Sequence, residues 1–435
     1  MNNKIKNYMF SKLILLFALA MLMISCTEQL EYEFVPYHQT IQETPALERI
    51  NFFLETSVSM KGYVNSDIVG HYPLKEVIPF LITDLDKMYN DIIQIYTITN
   101  SPRKYRQDRQ RFEDQLNKGT ILEGRSSKLQ NVFGHVIDAV KENSVSILVS
   151  DCIPDLGKSN TRVHSSKITT KIYHHLIQKE DLGVVVFQYL SDFNGTYYYD
   201  RLNTGSGNPR ERPYYNIVLQ NRPFYIWVFG NKHIVKELVS RDIFGKYAQS
   251  HSYNIPMNNA AFHLLKNPRE GKIAINIENN LLRIKEISQN RPVQFTMGIN
   301  LHKQLRGFHK QFMDSNNYTV EPGFLKETIV LKTKNRSILS EKNVDKPTIE
   351  HEKLSHFLQP IFHDLNPNTE KIKITLFNKN PLWIKQTSLD DDLGIVADSL
   401  TYKTFAFNTI TKAFDRAFKS QNDTLAHFTL TKKRQ

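Results

Sequence analysis

A short apolar strand and a hydroxyl-rich turn meet in the stretch Asn51-Phe52-Phe53-Leu54-Glu55-Thr56-Ser57-Val58-Ser59-Met60-Lys61-Gly62. The apolar run ends at Glu55, and two serines in i, i+2 spacing follow it. A strand that ends in this way directs several oxygen atoms toward one place. Because α/β proteins build their sites at the carboxyl end of the sheet, this stretch predicts both a fold class and a site.

The residues around this stretch predict an α/β domain over 48–250. Apolar runs typical of buried strands alternate with segments whose apolar residues recur at helical spacing. A tyrosine-rich segment after residue 190 interrupts this order, and we expect it to be irregular. The predicted strands are 50–54, 92–98, 145–149, 183–190 and 223–229. We therefore expect a doubly wound, mostly parallel sheet.

Three separated pieces of this domain resemble the metal site of von Willebrand factor A domains. Glu55, Ser57 and Ser59 follow the first strand, where the family has the pattern Asp-x-Ser-x-Ser. Ser126 or Ser127 stands where we expect the N-cap of an amphipathic helix, and Ser127 stands where the family usually has threonine. Asp151 ends the central apolar strand, as the last aspartate of the family does. The sequence departs from the family at Glu55, whose side chain is one methylene longer than aspartate.

The resemblance implies that Glu55, Ser57, Ser59, Ser127 and Asp151 hold Mg²⁺ or Mn²⁺. In the family the hydroxyls bind the metal directly, the acids hold it largely through water, and a carboxylate of a protein partner completes the shell. Oxygen ligands in near-octahedral geometry suit such a small, hard cation. The alternative is a fold of the same type whose loop hydroxyls only cap and hydrogen-bond the backbone. The sequence leaves both open.

The N-terminus predicts a membrane anchor. Lys4, Lys6 and Lys12 precede the apolar run 13–24, which is too short for a comfortable bilayer span, and Cys26 follows a small residue. This order resembles a bacterial lipobox, in which the cysteine is lipidated and becomes the mature N-terminus. We therefore expect a signal peptide over 1–25, a lipid on Cys26 and an outer-membrane lipoprotein of the cell envelope. An uncleaved signal anchor is the alternative.

The remaining chain divides into a tether and a β-rich region. Pro36, Pro45 and an acidic start predict an irregular tether over 26–47. Beyond residue 250, strand-like runs follow one another without regular helices, which predicts a mostly antiparallel, β-rich region over 251–435. Apolar residues at helical spacing predict one late amphipathic helix from Phe407 to Phe418.

Composition and motifs favour a binding protein over an enzyme. The chain is 40% apolar, which excludes wholesale disorder, and the sequence has no phosphate loop, nucleophile elbow or paired-cysteine zinc signature. Removal of Lys4, Lys6 and Lys12 lowers the formal charge from +12 to +9. We expect a protein partner, and nucleic acid is not expected for an outward-facing lipoprotein.

Two other functions stay open at this point. The basic stretch 101–111 could bind an acidic polymer without metal. Cys152 could serve as a nucleophile together with Asp151 and with His174 or His175 from the following helix. If Cys26 carries lipid, Cys152 has no cysteine to pair with. An exposed Cys152 thiol with a lowered pKa would identify such an enzyme.

Overall fold

The computed structural model describes most of the chain after residue 29. The described residues are 30–36, 43–65, 73–124, 127–154, 161–178, 180–199, 213–257, 262–286, 292–302, 304, 306–321, 325–332, 344–362, 368–418 and 424–433. The predicted signal peptide and Cys26 lie outside these residues.

Strands and helices alternate through the first half of the described chain, and strands dominate the second half. The strands are β1 Leu30–Pro36, β2 Arg49–Glu55, β3 Ile93–Ile98, β4 Pro102–Lys104, β5 Ser144–Ser150, β6 Leu182–Tyr197, β7 Tyr214–Asn231, β8 Gln249–Tyr253, β9 Phe262–Glu270, β10 Lys272–Asn276, β11 Leu281–Glu286, β12 Val293–Ile299, β13 Tyr318–Glu321, β14 Leu325–Lys332, β15 His356–Phe362, β16 Lys371–Phe377, β17 Ser388–Leu389, β18 Thr404–Phe405 and β19 Thr424–Lys432. The helices are α1 Leu74–Tyr89, α2 Arg109–Asn117, α3 Leu129–Asp138, α4 Thr161–Gln178, α5 Lys232–Ser240, α6 Arg306–Met313, α7 Lys346–His351, α8 Leu382–Gln386 and α9 Phe407–Phe418, with short 3-10 turns at Val58–Tyr63 and Ser315–Asn317.

The largest sheet is mixed, so the prediction of a doubly wound, mostly parallel sheet of von Willebrand A type is wrong. Among the described residues it has seven strands in the order β4-β3-β2-β5-β7-β6-β8. Parallel pairing is confined to β3, β2 and β5, whereas β4, β7, β6 and β8 all pair antiparallel with their neighbours. The other large sheets of the described chain are antiparallel as well.

The reason lies in a long hairpin that the sequence did not reveal. Strands β6 and β7 pair with each other from Leu182 to Tyr197 and from Tyr214 to Asn231. Two strands that a hairpin joins run antiparallel, whereas a parallel pair needs a crossover connection. The tyrosine-rich segment that we expected to be irregular therefore forms, in its described part, the distal half of this hairpin.

Helices cover both faces of this sheet. Helices α1, α2 and α5 contribute to one hydrophobic core, and α3 and α4 contribute to a second core on the opposite face. Alternate residues of β2 divide between the cores, since Phe52 and Leu54 belong to the first and Phe53 belongs to the second. Helix α9 comes late in the chain, as predicted, but it packs onto α4 and closes the second core.

Two further sheets have antiparallel strands only, in the orders β10-β11-β1-β19-β16-β13 and β14-β15-β12-β9. Strand β1 is an inner strand of the first of these sheets, between β11 and β19. The prediction of an irregular tether is therefore wrong for Leu30–Pro36, because the alternation of buried and exposed residues there fits a strand and its partners come from far along the chain. Within the described residues, every helix is too short or too polar to span a bilayer.

Candidate functional site

The site forms where two parallel strands end side by side. Residue Leu54 of β2 is level with Val149 of β5, so Glu55 and Ser150 lie next to each other at the carboxyl edge of the parallel strands. The loops that follow these strands carry the other predicted residues. All of the predicted site residues lie at this edge, and all but Ser59 are almost fully buried.

Serine hydroxyls surround the carboxylate of Glu55. The hydroxyl of Ser57 donates to Glu55 Oε1 over 2.7 Å, and Ser127 donates to the same oxygen. Ser150 donates to Glu55 Oε2. Ser59 extends the group, because its hydroxyl lies 2.9 Å from that of Ser57. We call Glu55, its three serine donors, Ser59 and Asp151 the serine–carboxylate cluster.

A close backbone contact brings Ser127 into the cluster. Gly124 donates its N–H to the carbonyl of Thr56 over 2.8 Å and bridges to Ser57. A Cβ on Gly124 would lie 2.6 Å from that carbonyl oxygen, so only glycine permits the approach. The prediction that Ser127 caps the following helix is wrong, because Lys128 occupies the N-cap position and the hydroxyl of Ser127 is turned to Glu55.

Asp151 presents a buried oxygen that has no hydrogen-bond partner in the described part of the chain. Its Oδ1 accepts a hydrogen bond from the N–H of Ile153 over 3.1 Å, whereas the described residues offer no hydrogen-bond donor to its Oδ2. The chain turns here through Cys152, which has a φ of 56° in the left-handed region. Such a backbone is uncommon for a residue with a side chain, and it is found most often where function or packing requires it. A buried, unpaired carboxylate oxygen is costly unless something else satisfies it.

The two buried carboxylates repel each other's charge. Burial raises the pKa of Glu55 to about 7, and the charge of Asp151 adds to the rise, whereas the hydroxyls of Ser127, Ser150 and Ser57 oppose it. Burial also raises the pKa of Asp151, against the opposing effects of the Ile153 N–H, the Ser59 hydroxyl and the charge of Arg222. Two carboxylates that share a buried site do not both ionise easily. The cluster therefore holds a proton readily near neutral pH, and Glu55 is the residue best placed to hold it.

Arg222 supplies a buried positive charge that acts on Asp151. It is 1% exposed and donates to the carbonyl of Lys403 over 2.5 Å and to the hydroxyl of Tyr197 over 3.3 Å. Tyr197 in turn donates to Asp392 over 2.7 Å. Attraction to Arg222 is one of the effects that lower the pKa of Asp151. The arginine therefore links the cluster to the C-terminal segment around residues 392–403.

The long hairpin holds Arg222 at this edge of the sheet. Ser150, the last residue of β5, is level with Tyr225 of β7, so the part of β7 before Tyr225 runs past the end of β5. The 3-10 turn after β2 packs against the adjoining part of β6, the other strand of the hairpin, where a Cβ on Gly62 would lie only 2.2 Å from the ring of Phe193. Tyr63 adds a hydrogen bond to the carbonyl of Pro223 over 2.5 Å. The hairpin that changed the sheet topology thus forms one wall of the site.

Sequence reasoning missed three residues of this arrangement. Ser150 could have been found, since a serine directly before Asp151 at a strand end points to the same edge. Gly124 gives a weaker signal, a lone glycine shortly before the helix that Ser127 precedes. Arg222 gives none, because its proximity depends on the hairpin and on the C-terminal segment.

The geometry argues against a nucleophilic role for Cys152. The thiol is buried and receives a hydrogen bond from the indole N–H of Trp227 over 3.2 Å. Burial raises its pKa well above the ordinary value, so the reactive thiolate is suppressed. His174 lies exposed on α4, and the side chain of His175 lies outside the described residues.

The basic stretch 101–111 begins on β4, the edge strand of the large sheet. Arg103 and Lys104 are exposed on β4, the edge strand, and Arg106 is exposed after it. Arg109 pairs with Asp86 of α1, and Asp108 caps α2. The stretch is thus partly neutralised by its own surroundings.

The donor set of the cluster fits a small, hard cation. Two carboxylates and several hydroxyls offer oxygen atoms only, the ligand type that Mg²⁺ and Mn²⁺ take. The unpartnered Oδ2 of Asp151 is the oxygen most in need of a positive partner. Across the described residues, no group of three or more histidine, cysteine, aspartate or glutamate side chains is placed to hold a metal, so such a cation would depend on the hydroxyls.

Comparison with models of protein families, with curated proteins and with solved structures finds no match for this chain.

Proposed function

We propose that the chain is an envelope lipoprotein that binds a protein partner through a divalent cation held at the serine–carboxylate cluster. The observation that carries this proposal is the convergence of Glu55, Ser57, Ser59, Ser127 and Asp151 at one edge of the sheet, with an unpartnered, buried oxygen on Asp151. Lipidation of Cys26 supplies the envelope location in this proposal.

Each side chain of the cluster has a task in this function. Asp151 supplies the negative charge that attracts the cation, and attraction to Arg222 favours the ionised form of that carboxylate, against the effect of burial on its pKa. The serine hydroxyls can donate to Glu55 when no cation is present and can turn their lone pairs to a cation when one binds, since a hydroxyl both donates and accepts. The bound cation supplies a Lewis-acidic position that a carboxylate of the partner can occupy.

The protonation of Glu55 makes the proposed binding depend on pH. With a pKa of about 7, Glu55 must release its proton before both carboxylates can face a divalent cation. Below pH 7 the apparent affinity should therefore fall by up to about tenfold per pH unit, because one proton competes with the cation.

Calorimetric titration of residues 27–435 with Mn²⁺ at pH 8 tests the cation site. We expect binding by the unsubstituted protein and a loss of at least about tenfold in affinity for Asp151→Asn, about 1.4 kcal/mol. Asp390→Asn removes an exposed aspartate elsewhere and should leave the affinity unchanged. Absence of Mn²⁺ binding by the folded, unsubstituted protein at pH 8 would contradict the proposal.

Capture of the partner requires a second experiment. The same protein, immobilised, should retain an envelope protein in Mg²⁺ and release it in EDTA, and Asp151→Asn should not retain it. Release by salt but not by EDTA would instead favour the basic stretch 101–111, because contacts to an acidic polymer weaken steeply with salt.

A further inference from the structure

Strand β1 places the predicted anchor beside the antiparallel sheets. It starts at Leu30, and its first residues pair with the end of β11, where Leu30 is level with Ile284 and Glu31 with Arg283. On its other side, Tyr32 is level with Lys432 of β19. The first residues of β1 are thus held between two strands from the C-terminal half of the chain.

The chain between the predicted lipid and this strand is short. Four peptide units lead from Cys26 to Leu30, and four extended residues reach roughly 14 Å at most. A lipid on Cys26 lies in the membrane, so the start of β1 must lie within that reach of the membrane surface.

The charges at this end of the sheet suit an anionic surface. Among the described residues that are level with the start of β1 or lie beyond it, cationic side chains outnumber carboxylates. The cations are Lys272, Arg283, Lys285, Lys432 and Lys433, and the carboxylates are Glu31, Glu286 and Glu370. Arg283 and Lys433 share Glu31 as an ion-pair partner, and Lys285 is exposed. Each lysine near an anionic membrane adds to the attraction between protein and lipid.

We infer that the end of the β10-β11-β1-β19 sheet that carries Lys285 and Lys433 is the membrane-facing surface of this protein, and that it rests on anionic lipid headgroups. The inference rests on the lipid at Cys26 in the proposed function, but it does not depend on the cation. The sheet that includes β19 then lies closest to the membrane. The sequence predicted instead that a tether leads from the lipid to the domain 48–250.

Two single-cysteine labels in one hairpin test this orientation. Lys285 is exposed on β11, and Asn279 is exposed in the turn between β10 and β11, six residues away and about 20 Å along the strand direction. Lipidation occupies Cys26 and burial protects Cys152, so a thiol-reactive fluorophore reacts with the introduced cysteine. The full, lipidated chain is reconstituted in phosphatidylcholine–phosphatidylglycerol vesicles whose headgroups carry a nitroxide quencher, after mass spectrometry has confirmed acylation.

We expect the label in Lys285→Cys to be quenched at least threefold more strongly than the label in Asn279→Cys. Lys433→Cys provides a second label at the same end in case Lys285→Cys does not fold. Equal quenching at the two ends, or stronger quenching at Asn279→Cys, would overturn the inference, and so would an unacylated Cys26. The quenching of the two labels is also compared in EDTA, which removes divalent cations. We expect the same ratio of quenching there, because the orientation on the membrane does not depend on the cation site.

Discussion

Glu55 is the residue at which this chain departs from the pattern that it resembles, and its surroundings show how the longer side chain is accommodated. Its carboxylate reaches hydroxyls from three segments, Ser57, Ser127 and Ser150. Those hydrogen bonds stabilise the glutamate, and they also occupy hydroxyls that a cation would need.

Shortening this side chain should strengthen cation binding. In Glu55→Asp the carboxylate withdraws from the hydroxyls and frees them to turn toward a cation at Asp151. We expect an affinity for Mn²⁺ about fivefold higher at pH 8, on the order of 1 kcal/mol, as one improved charge-assisted contact contributes. Calorimetry on Glu55→Asp and on the unsubstituted protein measures the ratio. If Glu55→Asp loses the binding that the unsubstituted protein shows, the longer carboxylate is itself a ligand.

The raised pKa of Glu55 should appear in the pH dependence of stability. Between pH 4.5 and 7 the folded protein keeps a proton that the unfolded chain has already lost. The free energy of unfolding should therefore fall as pH rises through this range, by about 3 kcal/mol from this residue. Urea unfolding at pH 5 and at pH 7.5 measures the change.

Glu55→Gln isolates this contribution, because an amide does not titrate. Its free energy of unfolding should change less between the two pH values than that of the unsubstituted protein. Glu142→Gln, at an exposed position, should retain the full change. An identical pH dependence in Glu55→Gln and the unsubstituted protein would mean that Glu55 ionises in the folded state near its ordinary pKa.

At the scale of elements, the loop after β2 and the segment before α3 are joined through one glycine. Gly124→Ala places a Cβ against the carbonyl of Thr56 and the side chain of Thr99, which must move apart. We expect a loss of about 1–3 kcal/mol in the free energy of unfolding, the range typical of overpacking, together with weaker Mn²⁺ binding because Ser127 shifts.

Gly134→Ala is the matched control for that substitution. Gly134 lies inside α3, where a Cβ meets only the flexible chain of Lys171 at 3.4 Å. Alanine in a helix interior should stabilise the protein by about 0.5–1 kcal/mol relative to glycine. If both substitutions have the same effect on urea unfolding, the contact between Gly124 and Thr56 does not constrain the loop.

On the scale of the whole molecule, a shared core joins the two halves of the chain. The ring of Phe414 on α9 lies 4.7 Å from Trp227 of β7 and 5.4 Å from Phe133 of α3. Tyr225 stacks on Phe407 at 4.0 Å. The domain boundary predicted near residue 250 therefore separates two parts of the chain that share one hydrophobic core, since α9 packs on residues that precede the boundary.

The fragment 48–250 should accordingly not fold with the stability of the full chain. Removal of α9 exposes the aromatic face around Trp227, so we expect binding of a hydrophobic dye and a broad, poorly cooperative thermal transition. The chain 27–435, measured in parallel, should unfold cooperatively and bind little dye. Cooperative unfolding of the fragment at the same midpoint would instead support an independent domain ending near 250.

Local sequence was sufficient for several of the elements and for the position of four residues at the edge of the sheet. Buried strands and amphipathic helices follow from the spacing of apolar residues along a few turns, which is why β2, β3, β5, α3 and α9 lie where the pattern predicts them. Glu55, Ser57, Ser59 and Asp151 were predictable for a related reason, since each follows a strand directly and parallel neighbours end at one edge.

Only the tertiary structure decided how these elements pair. The direction of β7, the place of β1 between β11 and β19, and the packing of α9 on α4 all join residues far apart in sequence. Such pairings depend on which apolar surfaces cover each other after the chain has closed long loops, and no short window of residues records that choice. Arg222 reaches the site for the same reason: its place beside Asp151 depends on an overhanging hairpin and on backbone carbonyls that come about 180 residues later.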